Sequence, residues 1–170
     1  MALSASKATL LLRVLSVAFQ LASIILLITN KKTASNNNGK FGPKTLTTYR
    51  YMFGTNVIGG GYNLLQIVSF LIFRILMNND DSYVYCLIEF YGDKAISYLL
   101  ATGSAAGFGA TRDLKKFLGE AYNIEHFFDM GYASAILLFL AFLCTAILSI
   151  LSSYSFLKKV HLFVSHPNPN

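Results

Sequence analysis

The sequence predicts an all-α membrane protein, a bundle of four transmembrane helices. Three observations predict it. Of the 170 residues, 54% are hydrophobic and 13% charged, with a mean hydropathy of +0.50, far more apolar than the usual water-soluble domain. The apolar residues gather into four runs, 10–29, 52–77, 95–111 and 130–157, which meet or nearly meet the length of about 18 residues or more that crosses some 30 Å of hydrocarbon. Charge is nearly excluded from them: the first run holds Arg13, the second holds Arg74 close to its end, and the last two hold none. Unpaired backbone amides are so costly in lipid that runs of this kind must be helices, and four of them leave little room for a soluble domain.

The first helix, 10–29, follows a short N-terminal segment, 1–9. A cleaved signal peptide is the competing reading. The run is longer than a signal core, contains Arg13 and Gln20, and has no clear small-residue cleavage site before Lys31, so it reads as a retained span. The stretch "KKTASNNNGKFGPKT", 31–45, is polar and broken by Gly39, Gly42 and Pro43, and reads as a mobile loop. In the second helix, 52–77, Gly59, Gly60 and Gly61 should soften or kink the rod. No Walker sequence follows them, so phosphate binding is not indicated.

The connection "NNDDSYVYCLIEFYG" is acidic and contains Cys86. The third helix is expected at 93–111, opening on Asp93, where a carboxylate gains from the helix dipole and caps free amides. Its small residues fall in two four-residue rows, Gly103 with Gly107, and Ala101, Ala105 with Gly109, which let helix backbones approach closely. These rows serve either packing within one chain or contact between chains. After it, Leu114, Phe117, Leu118, Ala121 and Tyr122 lie at helical spacing. They predict a short amphipathic helix at the headgroup level, with Phe127 and Phe128 as interfacial anchors. The fourth helix, 130–157, repeats the small-residue device with Ala141, Thr145, Ser149 and Ser153. The tail, 158–170, ends in "SHPNPN" and should be disordered at its tip.

Helices 1 and 3 run the same way through a bilayer, so Arg13 and Asp93 sit near one leaflet. Opposite charges at matched depth shed part of their desolvation cost by pairing, and a structural ion pair is expected between them. Loop charge gives a weaker signal. The side holding both termini collects Lys7, Arg13, Arg74, Lys94, Lys158 and Lys159. The opposite side collects Lys31, Lys32, Lys40, Lys44, Arg50, Arg112, Lys115 and Lys116, and so carries more basic residues. Taken alone, that bias favours termini outside.

Catalysis, metal binding and a cofactor are not expected. His126, His161 and His166 lie outside the spans without ligand spacing, and no Gly-x-Ser-x-Gly elbow occurs. Cys86 and Cys144 are placed too differently to imply a disulfide. A net charge of +6 on so apolar a chain points to anionic lipid headgroups and not to nucleic acid. Gln20, Asn56, Asn63 and Gln66 are the polar residues within the spans that keep a small channel or transporter, or a regulatory subunit of one, as the alternative. Such residues more often hydrogen-bond neighbouring helices.

Three stretches carry a family resemblance. "DKAISYLLATGSAAGFGATRD" resembles the third span of the CASP-like family, the Casparian strip membrane domain-like proteins of plants, which opens with Asp and runs through Tyr-Leu-Leu into Ala-rich sequence. "LLLRVLSVAFQLASIILLITNK" resembles its first span with a characteristic Arg, and "YRYMFGTNVIGGGYNLLQIVSFLIF" is similar to its Tyr-rich second span, with Asn56, Ile58 and Tyr62. The likeness covers about 7–157. It implies a MARVEL-like, four-span plasma-membrane protein with cytoplasmic termini, forming homodimers or heteromers with related family members. It assigns the family's Arg to Arg13 and its Asp to Asp93, both toward the cytoplasm, and on this ground termini inside are preferred to the loop-charge reading. The first loop is Asn- and Lys-rich and the chain has no Trp. The resemblance therefore implies a CASP-like relative, a non-enzymatic scaffold or interaction protein with cell-wall-associated partners in view, and not a builder of the strip itself.

Overall fold

The computed structural model describes residues 2–36, 47–76, 83–122 and 125–165. They form four helices, α1 (Ala2–Asn36), α2 (Thr47–Leu76), α3 (Tyr83–Tyr122) and α4 (Glu125–Ser165). Three contain stretches long and apolar enough to cross a membrane: Lys7–Thr29, Thr47–Ile72 and Asp129–Leu157. The stretch in α3 is not among them: its charge-free residues, 95–111, are diluted by Gly, Ser and Thr and are preceded by Glu89, Asp93 and Lys94.

Each helix packs against the next, and α4 closes the ring against α1, leaving α1 and α3 on one diagonal. Pairings across the bundle show that neighbours are antiparallel. Ser16 meets Asn63 while Ser23 meets Asn56, seven residues forward on α1 matched by seven back on α2. Ser16 meets the Ala141 carbonyl and Ser23 the Ser134 carbonyl in the same register on α4.

The bundle is built inside out relative to a soluble domain. Its outer surface carries Leu11, Ile25, Leu65, Val68, Ile150 and Leu157, while Arg13, Ser16, Gln20, Ser23, Asn56, Asn63 and Asp93 are buried. Lipid offers apolar side chains an environment no worse than the core, so polar contacts and close fit take over from the hydrophobic drive in holding the helices. An apolar cluster does fill one part of the interior, with Leu27, Tyr49, Met52, Ile96, Leu100, Ala135 and Leu138.

Several expectations change. The helix holding Asp93 begins ten residues earlier, at Tyr83, so Asp93 lies almost three turns inside α3 and neither caps it nor sits at its dipole. Cys86 accordingly belongs to α3 and not to a connection. The charges that lower the hydropathy there are compatible with helix, and Leu87, Ile88, Phe90 and Tyr91 continue it. The segment 114–122 is the end of α3 instead of a separate amphipathic helix, and α4 starts at Glu125. The side chains of Phe127 and Phe128 lie outside the described residues. The helix α1 continues through 31–36, read above as loop, while 37–46 and the tip 166–170 lie outside the described residues. Past Leu157, α4 carries on to Ser165. The element α2 runs unbroken through Gly59–61.

Candidate functional site

Arg13 projects from α1 across the diagonal to α3. Its guanidinium grips Asp93 with both arms, Nη1 donating to Oδ1 at 3.1 Å and Nη2 to Oδ2 at 3.0 Å. The same Nη2 donates to Glu89 Oε1 at 2.8 Å. Glu89 and Asp93 stand four apart on α3, one turn along the same face, which is why one planar cation serves both. Both residues of the Arg13–Asp93 pair are 2% exposed. Taking such charges out of water is costly, and the two-pronged geometry with further hydrogen bonds is what offsets the cost.

The second shell comes from α2. Tyr62 donates its hydroxyl to Asp93 Oδ1 at 3.0 Å, and Gln66 Nε2 donates to the Tyr62 oxygen at 3.1 Å. Asp93 Oδ1 thus accepts from two helices at once. Room for the Tyr62 ring is made by Gly92, where an added Cβ would overlap the Tyr62 hydroxyl and lie 2.7 Å from ring carbons. Beside the cluster, the Lys94 ammonium sits 4.1 Å from the centre of the Phe90 ring, which itself stacks on Phe156 of α4 at 5.0 Å.

A second polar clamp closes the other end of the bundle. Thr111 donates to the Gly107 carbonyl at 2.8 Å, so Tyr49 is the donor in the 2.9 Å bond between the Tyr49 and Thr111 hydroxyls. Gly131 of α4 fits against this pair, since a Cβ there would stand 2.8 Å from the Tyr49 oxygen. Asp93 and Thr111 are eighteen residues apart on α3, so the two clamps lie about 27 Å apart along the helix.

Between the clamps runs a buried polar seam. Gln20 and Asn63 both donate to Ser16 Oγ, at 3.0 Å and 3.4 Å. Asn56 donates to Ser23 Oγ at 3.1 Å and to the Met52 carbonyl at 3.1 Å. Ser23 and Ser134 exchange reciprocal hydroxyl-to-carbonyl bonds of 3.0 Å between α1 and α4.

The five small residues singled out on α3 divide by face. Gly103 and Gly107 are buried: a Cβ on Gly103 would overlap Thr55 Oγ1, and one on Gly107 would lie 2.6 Å from Met52 Sδ and 3.2 Å from Ala135 Cβ. Ala101 is half-buried, Ala105 and Gly109 are exposed, and nothing stands within 4 Å of a Cβ on Gly109. The first row packs within the chain, and most of the second faces outward. The structure brings Arg13 and Asp93 together and adds Glu89, Tyr62, Gln66 and Gly92. Glu89 stands one turn before Asp93, a spacing readable in the sequence once the helix is known to start before it. Among the described residues, no three of His, Cys, Asp and Glu come together in a group able to hold a metal ion.

Residues 2–144 match the family model described as the Casparian strip membrane protein domain. Among curated proteins, the chain is 40% identical over 165 residues to CASP-like protein 4D1 of Ricinus communis, covering 93% of this chain and 96% of that one. It is 44% identical over 158 residues to CASP-like protein 4D2 of Arabidopsis thaliana, covering 88% and 90%. To CASP-like protein 4D1 of Populus trichocarpa it is 44% identical over 158 residues, covering 89% and 87%. No solved structure matches the chain.

Proposed function

The chain belongs to the Casparian strip membrane protein domain family, a multi-pass membrane protein of CASP-like type, and on that footing we propose that it is a non-enzymatic plasma-membrane scaffold that associates with copies of itself or of related chains. In this reading α3 is the fourth span and the bundle is MARVEL-like, with both termini cytoplasmic. The charges of α3 do not forbid crossing: Arg13 gathers Asp93, buried inside the bundle, and Glu89, which is half-buried beside it. Arg13 with Asp93 fixes the diagonal of the monomer. The same topology places two connections on the outer side, where cell-wall-associated partners would be met.

The observation that carries the proposal is the division of α3 into two faces. Gly103 and Gly107 are used up within the chain, while Ala105 and Gly109 present a smooth strip to the surroundings. Small residues of this kind let a second helix approach closely in lipid. The test is fluorescence recovery after photobleaching of the tagged chain in a plant plasma membrane, together with single-molecule counting of photobleaching steps. Slow recovery in patches and multiple steps, both reversed by Ala105→Leu with Gly109→Leu, support the scaffold. Fast uniform recovery with single steps refutes it.

A second reading, a small channel or transporter, draws on the polar seam of Gln20, Asn56 and Asn63, which reaches from one clamp toward the other. Solute or ion flux in liposomes that disappears on Asn63→Leu favours it. Silence across a broad solute panel removes it.

A further inference from the structure

In the seam between α1 and α2, three side-chain oxygens accept no hydrogen bond: Gln20 Oε1, Asn56 Oδ1 and Asn63 Oδ1. Their residues are at most 1% exposed. Native structures rarely leave such groups unmet, and in a membrane interior no bulk solvent can reach them.

Most donors of the seam are already committed. Both protons of the Asn56 amide go to Ser23 Oγ and the Met52 carbonyl. The single Ser16 proton goes to the Ala141 carbonyl at 3.4 Å, and Ser23 and Ser134 donate to each other's carbonyls. The second amide protons of Gln20 and Asn63 are the donors left, and neither reaches any of the three oxygens. Turning an amide round leaves its NH2 group in the same position with nothing to accept from it, so the unmet polarity stays. A group that can donate or accept meets either orientation, which a metal cation cannot do.

We infer that the α1–α2 seam holds buried water that hydrogen-bonds the side-chain amides of Gln20, Asn56 and Asn63. The Gln20 and Asn63 amides share Ser16 Oγ as acceptor and so occupy one neighbourhood, and the inferred water bridges their free oxygens. Asn56 stands seven residues, about two turns, from Asn63 on the same face of α2, so its water is separate, with Ser23 Oγ, which keeps a lone pair, as the second partner. Gly59 and Gly60 lie between these asparagines on α2. Their missing side chains leave room for the Gln20 amide, whose oxygen would stand 3.1 Å and 3.2 Å from a Cβ at those positions. Two polar partners for the bridging molecule meet the lower limit that a buried water needs.

The experiment uses the full chain, labelled with 15N and placed in nanodiscs of perdeuterated lipid. Magnetisation is transferred from water to side-chain amides. Cross-peaks to the side-chain amides of Gln20, Asn56 and Asn63 are expected, while the equally buried backbone amides of Ala135 and Leu138 give none. In Asn63→Leu, the Gln20 cross-peak should be lost and the Asn56 cross-peak retained. Absence of water cross-peaks at all three wild-type amides overturns the inference. So does a thermal midpoint that rises with sodium or potassium concentration and falls back to the parent's ion-free value in Asn63→Leu, since a bound cation then occupies the seam.

Discussion

Asp93→Asn keeps the shape of the side chain and removes its charge. Arg13 then loses its charge pairing with Asp93 and one of the two bonds of 3.1 Å and 3.0 Å, since an amide offers one acceptor oxygen where the carboxylate offers two, and it stays 2% exposed. Breaking a buried pair by removing one partner costs about 3–5 kcal/mol. Glu89 remains 2.8 Å from Nη2 and still balances the guanidinium, so the loss falls at the lower end, about 3 kcal/mol. At about 1.4 kcal/mol per factor of ten, opening of the bundle becomes roughly a hundredfold more frequent. Cys144, a buried free thiol on α4, reports that opening through its labelling by a thiol-reactive dye, measured in a Cys86→Ser background. Arg13→Leu should label faster still, because it strands two carboxylates where Asp93→Asn strands none. The double variant Arg13→Leu with Asp93→Leu should label more slowly than Arg13→Leu alone, exposing the coupling directly. Labelling of Asp93→Asn at the parental rate would refute the reasoning.

Further outcomes follow from the close contacts. Gly92→Ala should displace Tyr62 from Asp93 and destabilise the bundle by about 1–3 kcal/mol, seen as faster Cys144 labelling. Tyr62→Phe removes only the hydroxyl, and should cost about 1 kcal/mol in the same assay. Gly103→Leu should force α3 away from Thr55 and lower the yield of folded protein, measured by size-exclusion chromatography in detergent. Gly109→Leu, with open space at its Cβ position, should leave that yield unchanged and lower only the oligomer fraction in membrane cross-linking.

The pairing of Arg13 with Asp93 was legible because antiparallel hairpins fix which helix ends share a leaflet, and two isolated opposite charges at one depth are conspicuous. Glu89 was hidden by the same charges that reveal the site. Together with Asp93 and Lys94 it lowers local hydropathy, so the apolar run begins after it and the helix seems to start at Asp93. Tyr62 and Gln66 stood out as polar or aromatic residues in a span, but their common target depends on the rotation of α2 against α3, which the sequence of neither helix contains. The same holds for the small residues. Gly103 with Gly107 and Ala105 with Gly109 look equivalent along the chain, and only Thr55, Met52 and Ala135 on neighbouring helices decide which row faces inward. Gly59–61 is a different case: three glycines weaken a helix in water, yet α2 stays helical through them. In lipid an unwound turn would expose amides with nothing to bond, so the surroundings hold the helix where propensity alone would not.

The Arg13–Asp93 bridge joins residues 80 apart in the chain, and that separation has a meaning in time. During synthesis α1 emerges well before Glu89 and Asp93, so the young helix carries a guanidinium with neither of its carboxylates. A lone arginine near a helix end stretches toward the headgroups, drawing α1 with it. Arrival of α3 ends that condition, pulling the arginine inward onto two acids and a tyrosine-braced oxygen. On the four-span topology proposed above, the first helix reaches its final depth only when the third is present, and a chain cut short before Asp93 keeps its arginine at the membrane surface.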